Sequence, residues 1–173
     1  MPQPLVYDPV EASRERWIEQ GWVDSAAGMA AVVSVMRAEQ IFLRRATDVL
    51  RPLGLTFARY QVLGMLRWAG PLTLGAVGHR LWITPGTVTS SVDRLEAADL
   101  CVRRAHPDDR RSSLLDVTDT GREAAAAADA AVRDELAQRL DSLSARDVDR
   151  VASLLRNIRV SVGVEPTVDA STK

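Results

Sequence analysis

Midway along the chain, Thr84-Pro85-Gly86 sets a helix start that admits little else. A hydroxyl stands at the N-cap, followed by a proline whose fixed φ suits the first turn and whose missing N–H costs nothing there. A helix over residues 85 to about 98 follows, because Val88, Val92 and Leu95 recur at i, i+4 and i+7 as one apolar stripe. Away from that stripe, at about 100° per residue, stand Gly86, Thr87, Thr89, Ser90, Asp93 and Arg94. A helix that enters the major groove of DNA, about 12 Å wide, needs such a face. It calls for small groups for close approach, hydroxyls for phosphates and base edges, and an arginine able to read guanine. A solvated surface helix would carry the same residues, so the flanking segments decide.

Upstream, Thr73 caps a short helix that turns Leu74, Val77 and Leu81 inward, and Trp82-Ile83 makes the tight connection to Thr84. Downstream, Leu100-Cys101-Val102-Arg103-Arg104 and Ser113-Leu114-Leu115-Asp116-Val117 are strand-like, joined by the polar turn Ala105-His106-Pro107-Asp108-Asp109-Arg110-Arg111. Residues 72–121 thus read as helix, turn, helix and a two-stranded hairpin, a winged helix-turn-helix. Arg103, Arg104, Arg110 and Arg111 place four positive charges on the hairpin, and a narrow minor groove attracts such arginines. The expected DNA contacts are Thr84, Pro85, Gly86, Thr87, Thr89, Ser90 and Arg94 on the helix, with Arg103, Arg104, Asp109, Arg110 and Arg111 on the wing.

Leu55-Thr56-Phe57-Ala58-Arg59-Tyr60-Gln61-Val62-Leu63, then residues 81–95, then Pro107-Asp108-Asp109-Arg110-Arg111 closing on Val117-Thr118-Asp119-Thr120-Gly121, resembles the multiple antibiotic resistance regulator (MarR) family. The resemblance covers residues 55–121. It implies a homodimeric, mainly helical repressor that binds a pseudo-palindromic operator and lets go when a small molecule, often aromatic or phenolic, or an oxidant acts. It puts Asp109 and Arg111 at the family's wing aspartate and arginine positions. It also implies a ligand crevice above the reading head, for which Met36, Arg59, Met65, Trp68 and Trp82 are the candidate lining and Arg59 the charged anchor; ordinary core packing is the alternative for each. Trp82 departs from the family pattern, standing where a small turn residue is usual.

The flanks supply helices. Residues 1–9 are proline-rich, an extended arm; residues 10–22 form a short helix with Trp17, Ile18 and Trp22 as its apolar side. Packing on their own subunit would satisfy these tryptophans, and the resemblance favours a clasp across a dimer. Residues 25–50 make a strong helix ended by Arg51-Pro52. Met29, Val32, Val33, Met36, Ile41, Phe42 and Val49 surround so much of it that burial on more than one side is expected. A helix over 57–68 stops at Ala69-Gly70-Pro71. Thr118 caps a long helix reaching about Leu140 through the alanine run 124–128, and Ser144 starts a last one with Asp147 in a capping-box-like position. Its stripe includes Val148, Val151, Leu155 and Ile158. Long terminal helices with an apolar side and no partner left in their own domain are what a dimer interface requires, so these four, with Trp17 and Trp22, are the interface candidates. The fold class is mainly α: an N-terminal arm and helix over 1–54, the winged helix-turn-helix over 55–121, and dimerisation helices over 122–173, all one continuous domain.

At 173 residues and net charge −1, the chain is a single domain without a generally basic coat. Its basic groups collect on the wing, while the first 25 residues carry five acids against two arginines. One cysteine excludes an internal disulfide; no apolar run approaches the ~18 residues of a membrane span, and no signal pattern opens the chain, so a cytoplasmic protein is expected. With only His79 and His106, no glycine-rich phosphate loop and no nucleophile elbow, neither catalysis nor a cofactor is expected. Cys101 and His106 are two ligands short of a zinc site, and the family's peroxide-sensing cysteine lies near the N-terminus, so no metal is expected. The rival reading is a winged helix used as a protein-binding scaffold, against which the four wing arginines argue.

Overall fold

The computed structural model describes residues 7–107 and 112–163. Asp8 starts α1 (Pro9–Glu19) by accepting the Val10 N–H at 2.8 Å. α2 (Val23–Leu50) follows, and Thr56 caps α3 (Phe57–Ala69). Two extended residues form β1 (Leu72–Thr73) before α4 (Leu74–Leu81) and α5 (Pro85–Ala97). The hairpin β2 (Cys101–Ala105) and β3 (Ser113–Val117) leads to α6 (Asp119–Val132), whose helical path continues through a wider turn at Arg133–Ala137 and a tighter one at Gln138–Leu140. α7 (Ala145–Ser161) closes the described chain.

The two-stranded wing expected from the sequence is present as β2 and β3, and β1 adds a third antiparallel strand that the sequence reading did not include, giving the order β1-β3-β2, in which Leu72 sits opposite Leu115 and Cys101 opposite Val117. Two residues, Leu72 and the Thr73 cap itself, are too few for any periodicity to announce them. β1 matters because it stitches the entry of α4 to the base of the wing, so the helix pair and the hairpin share one frame.

One core runs under all three stretches of the chain. Leu50 comes from α2, Val62, Leu63 and Leu66 from α3, Val88, Val92 and Leu95 from α5, Leu115 from β3, and Ala125 and Ala128 from α6. Small alanines let α6 lie close against α2 and α3. Polar ties hold it there: Asp129 accepts from Tyr60 Oη at 3.1 Å and from Arg67 Nη1 at 2.7 Å, and Glu135 accepts from Arg45 at 2.8 Å. Partial burial and then the Asp129 carboxylate hold the Tyr60 phenol above its ordinary pKa.

Outside that core large apolar side chains stay exposed. α1 and α7 bury no residue. The expectation that α2 is buried on several sides fails within one chain: only Ala26, Ala46 and Leu50 are buried, whereas Val32, Met36 and Ile41 are 54%, 54% and 56% exposed. The sequence reading also missed that the helical stretch Val23–Leu53 is long and apolar enough, by length and mean hydropathy, to cross a membrane. It passes through its alanines, with Arg37 and Glu39 interrupting the run. Ala46 and Leu50 near its end belong to the protein core, while the apolar stretch before them is mostly exposed.

Candidate nucleic-acid interface

The sequence of α5 determines its two faces. Thr84 Oγ1 accepts the Thr87 N–H at 3.3 Å, Pro85 fills the first turn, and Val88, Val92 and Leu95 are buried against α3 and α4. Gly78 on α4 permits the close approach: a Cβ there would stand 3.2 Å from Val88 Cγ2 and 3.3 Å from the Ile83 carbonyl. What remains outward is Thr84, Pro85, Gly86, Thr89, Ser90, Asp93 and Arg94, all exposed, with Thr87 half-buried. Thr89 donates to the Pro85 carbonyl at 3.0 Å and Ser90 to the Thr87 carbonyl at 3.2 Å. Each hydroxyl therefore turns its lone pairs outward while its proton is held by the helix, and can rotate to donate instead.

The wing arginines divide. Arg103, expected to contact DNA, points its guanidinium at the recognition helix: Nη2 donates to Asp93 at 2.7 Å, Nη1 to Glu96, and the Arg103 backbone N–H to Glu96 at 3.1 Å. The Asp93 hydrogen bond, with the Glu96 and Asp93 charges, outweighs the opposing effect of burial and raises its pKa further. Arg103 thus braces β2 on α5. Sequence reasoning missed this clamp, although Asp93 and Glu96 are one turn apart on a helix and the basic strand begins a few residues later. Arg104, on the other face of β2, is exposed and meets Asp116 at 3.3 Å. Asp109, Arg110 and Arg111 lie outside the described residues.

A cavity of about 440 Å³ opens between the start of α3 and the outer side of α5, lined by Thr56, Arg59, Ser90, Ser91 and Arg94. A second, of about 280 Å³, lies between α4 and α5 and includes His79. Of the five residues expected to form an effector crevice, only Arg59 lines either one. Trp68 follows Arg59 by nine residues, which puts it on the opposite side of α3, 78% exposed beneath the Arg67 guanidinium. Met65 packs on the core, Met36 is exposed on α2, and Trp82 is exposed in the α4–α5 turn. One chain does not bring these five together.

The expected self-association residues share one property, unpartnered apolar surface. Trp22, Val148, Val151 and Ile158 are exposed, and Trp17 and Leu155 half-buried. Cys101 is buried at the base of β2, its thiol near the Val92 carbonyl, and burial followed by the Glu96 charge pushes its pKa up to about 11. His106 lies five residues along, past the strand end. Among the described residues no cluster of three metal-ligating side chains occurs.

A model of the MarR family matches residues 53–112. The chain is 34% identical over 68 residues to the HTH-type transcriptional regulator MhqR of Bacillus subtilis, covering 39% of this chain and 47% of that protein. It spans about half the length of the curated relatives it matches. Solved structures extend the likeness. Sco5413, a MarR family transcriptional regulator from Streptomyces coelicolor, is 37% identical with a TM-score of 0.67 over 79% of this chain and 96% of that one. The transcriptional repressor CouR, bound to a 23-mer DNA duplex, is 31% identical with a TM-score of 0.66 over 72% and 89%.

Proposed function

Because the chain belongs to the MarR family of transcriptional regulators, we propose that it is a homodimeric, sequence-specific binder of double-stranded DNA that works in the cytoplasm as a repressor, by binding and not by catalysis. The observation that carries this reading is the α5 surface: small, hydroxyl-bearing and exposed over a fully buried apolar stripe, braced to the wing by Arg103. CouR, which this chain matches over 89% of CouR's length, is a transcriptional repressor with a solved structure bound to a 23-mer DNA duplex. The relatives' names are those of regulators, which favours this reading over a scaffold subunit.

In the proposed mechanism α5 enters the major groove with Thr84, Pro85, Gly86, Thr87, Thr89 and Ser90 leading, and Arg104, Arg110 and Arg111 of the wing reach the adjacent backbone and minor groove, with Asp109 orienting Arg111. Arg103 acts at one remove, by fixing the wing. The exposed apolar sides of α1, α2 and α7 pack against a second copy, giving two recognition helices on one C2 axis. An effector, a small aromatic or phenolic molecule, weakens DNA binding by preferring the dimer in which those helices are wrongly spaced; a coupling of about 1 to 3 kcal/mol corresponds to about a 5- to 150-fold loss. Any pocket for it draws on both copies, since Met36 and Trp68 face outward from one chain. Binding to duplex DNA as a function of salt tests the class: a Kd that weakens steeply with ionic strength is expected, and a salt-independent interaction, or none, contradicts it.

A further inference from the structure

The geometry points to the Arg59–Arg94 cavity as a seat for one phosphodiester of the DNA backbone in each half-site, a contact supplied from α3, outside the helix-turn-helix and the wing. This rests on the reading of the chain as a DNA binder.

Three observations carry it. First, the charge in the cavity is not neutralised. Among the described residues Arg45, Arg67, Arg103 and Arg104 are each paired with a carboxylate, but neither Arg59 nor Arg94 is. Arg59 is held only by Thr56, whose Oγ1 accepts from Nε at 3.2 Å. Second, Ser91 is 5% exposed and lines the cavity, and its hydroxyl makes no hydrogen bond to any described residue. No wholly buried polar atom lacks a partner, so its hydroxyl opens into the cavity. A hydroxyl inside a protein calls for a partner, and an oxyanion seated between two guanidiniums supplies one.

Third, the lining selects the ligand. A threonine, two serines and two arginines set hydroxyl and guanidinium donors around the cavity, a lining suited to an oxyanion. Thr87, Ser90 and Arg94 stand at i, i+3 and i+7, one line along the outward side of α5, so an anion in the cavity lies beside whatever occupies the groove. A phosphodiester flanking that groove meets both arginine forks, and a contact from α3 fixes register without reading sequence.

The test uses the full chain and a duplex recovered by selection from a random-sequence pool. Arg59→Ala and Arg94→Ala should each weaken binding about 10- to 100-fold and lower the slope of log Kd against log salt by about one. In ethylation interference both variants should become indifferent to the same phosphate in each half-site, and Arg59→Lys should restore the slope. Wild-type protein keeps the test valid if a variant misfolds: a neutral methylphosphonate at that position should cost it about the same factor. Variants that lose different phosphates, or none, overturn the seat while leaving DNA binding intact. If inorganic phosphate or benzoate stabilises the wild type but not Arg59→Ala, and Arg59→Ala binds DNA normally, the seat belongs to a free anion and the inference is wrong. Failure of the wild type to bind any duplex would remove the DNA-binding reading itself.

Discussion

Arg103 on β2 donates to Asp93 on α5 at 2.7 Å, so the wing and the recognition helix are joined through a side chain as well as through the turn between them. Glu96 holds the same arginine by both its guanidinium and its backbone N–H. Glu96→Ala should lower stability by about 1 kcal/mol, a fall of about 2 to 4 °C in Tm. Arg103→Ala should cost a similar amount, and the double variant little more than either, because both remove one interaction. Scanning calorimetry on the three variants checks this; fully additive losses would show that the clamp is not a unit.

Gly121 is required by packing. A Cβ there would lie 1.9 Å from the Leu100 carbonyl oxygen, which belongs to backbone and cannot move aside. Gly121→Ala should cost about 3 kcal/mol or more. Gly64 inside α3 meets nothing within 4 Å, so Gly64→Ala should stabilise by about 0.5 to 1 kcal/mol. Urea midpoints measure both, and equal effects at the two sites would contradict the close approach at Gly121.

How much of the fold is legible in the sequence follows the same physics. Caps and stripes are local, so Thr73, Thr84, Thr118 and Ser144 and the apolar lines of α3 to α5 can be read directly from the order of residues. β1 cannot, because two residues carry no period, and its existence depends on β3 being there to pair with. Nor can the direction of Arg103: four arginines in one hairpin look alike until the register sets Arg103 opposite Leu115 on the side facing α5. α2 misleads because apolar residues around a helix promise burial without saying in which chain.

Trp82 has φ 57°, the left-handed region that disfavours a side chain. Because it is also partly packed, truncation alone would mix two effects, so the informative comparison is Trp82→Gly against Trp82→Ala. The glycine variant should be the more stable by about 1 kcal/mol, the reverse of the order in a helix interior. Denaturant titration decides; alanine equal to or better than glycine would mean the turn carries no strain.

The Cys101 thiol is neutral in the folded protein up to a pKa of about 11, against 9.0 for the free group. Above pH 9 the unfolded chain releases this proton while the folded one keeps it, so stability is lost as pH rises from about 9 to 11. The loss from this group is at most about 1.4 kcal/mol per pH unit. The wild type minus Cys101→Ala difference in unfolding free energy at pH 8, 9 and 10, as set points, isolates it. A flat difference would mean the thiol is not shielded by the fold.

In the proposed assembly two copies present two α5 helices to one duplex. Hydroxyl-radical footprinting of the protein on its selected DNA, combined with sedimentation, addresses this most directly. A dimer protecting two half-sites about 10 bp apart, on one face of the helix, is the predicted result. Val151→Asp with Ile158→Asp, introduced into the exposed side of α7, should yield monomers that lose the whole footprint. A wild-type monomer, or protection of a single half-site, would rule that assembly out.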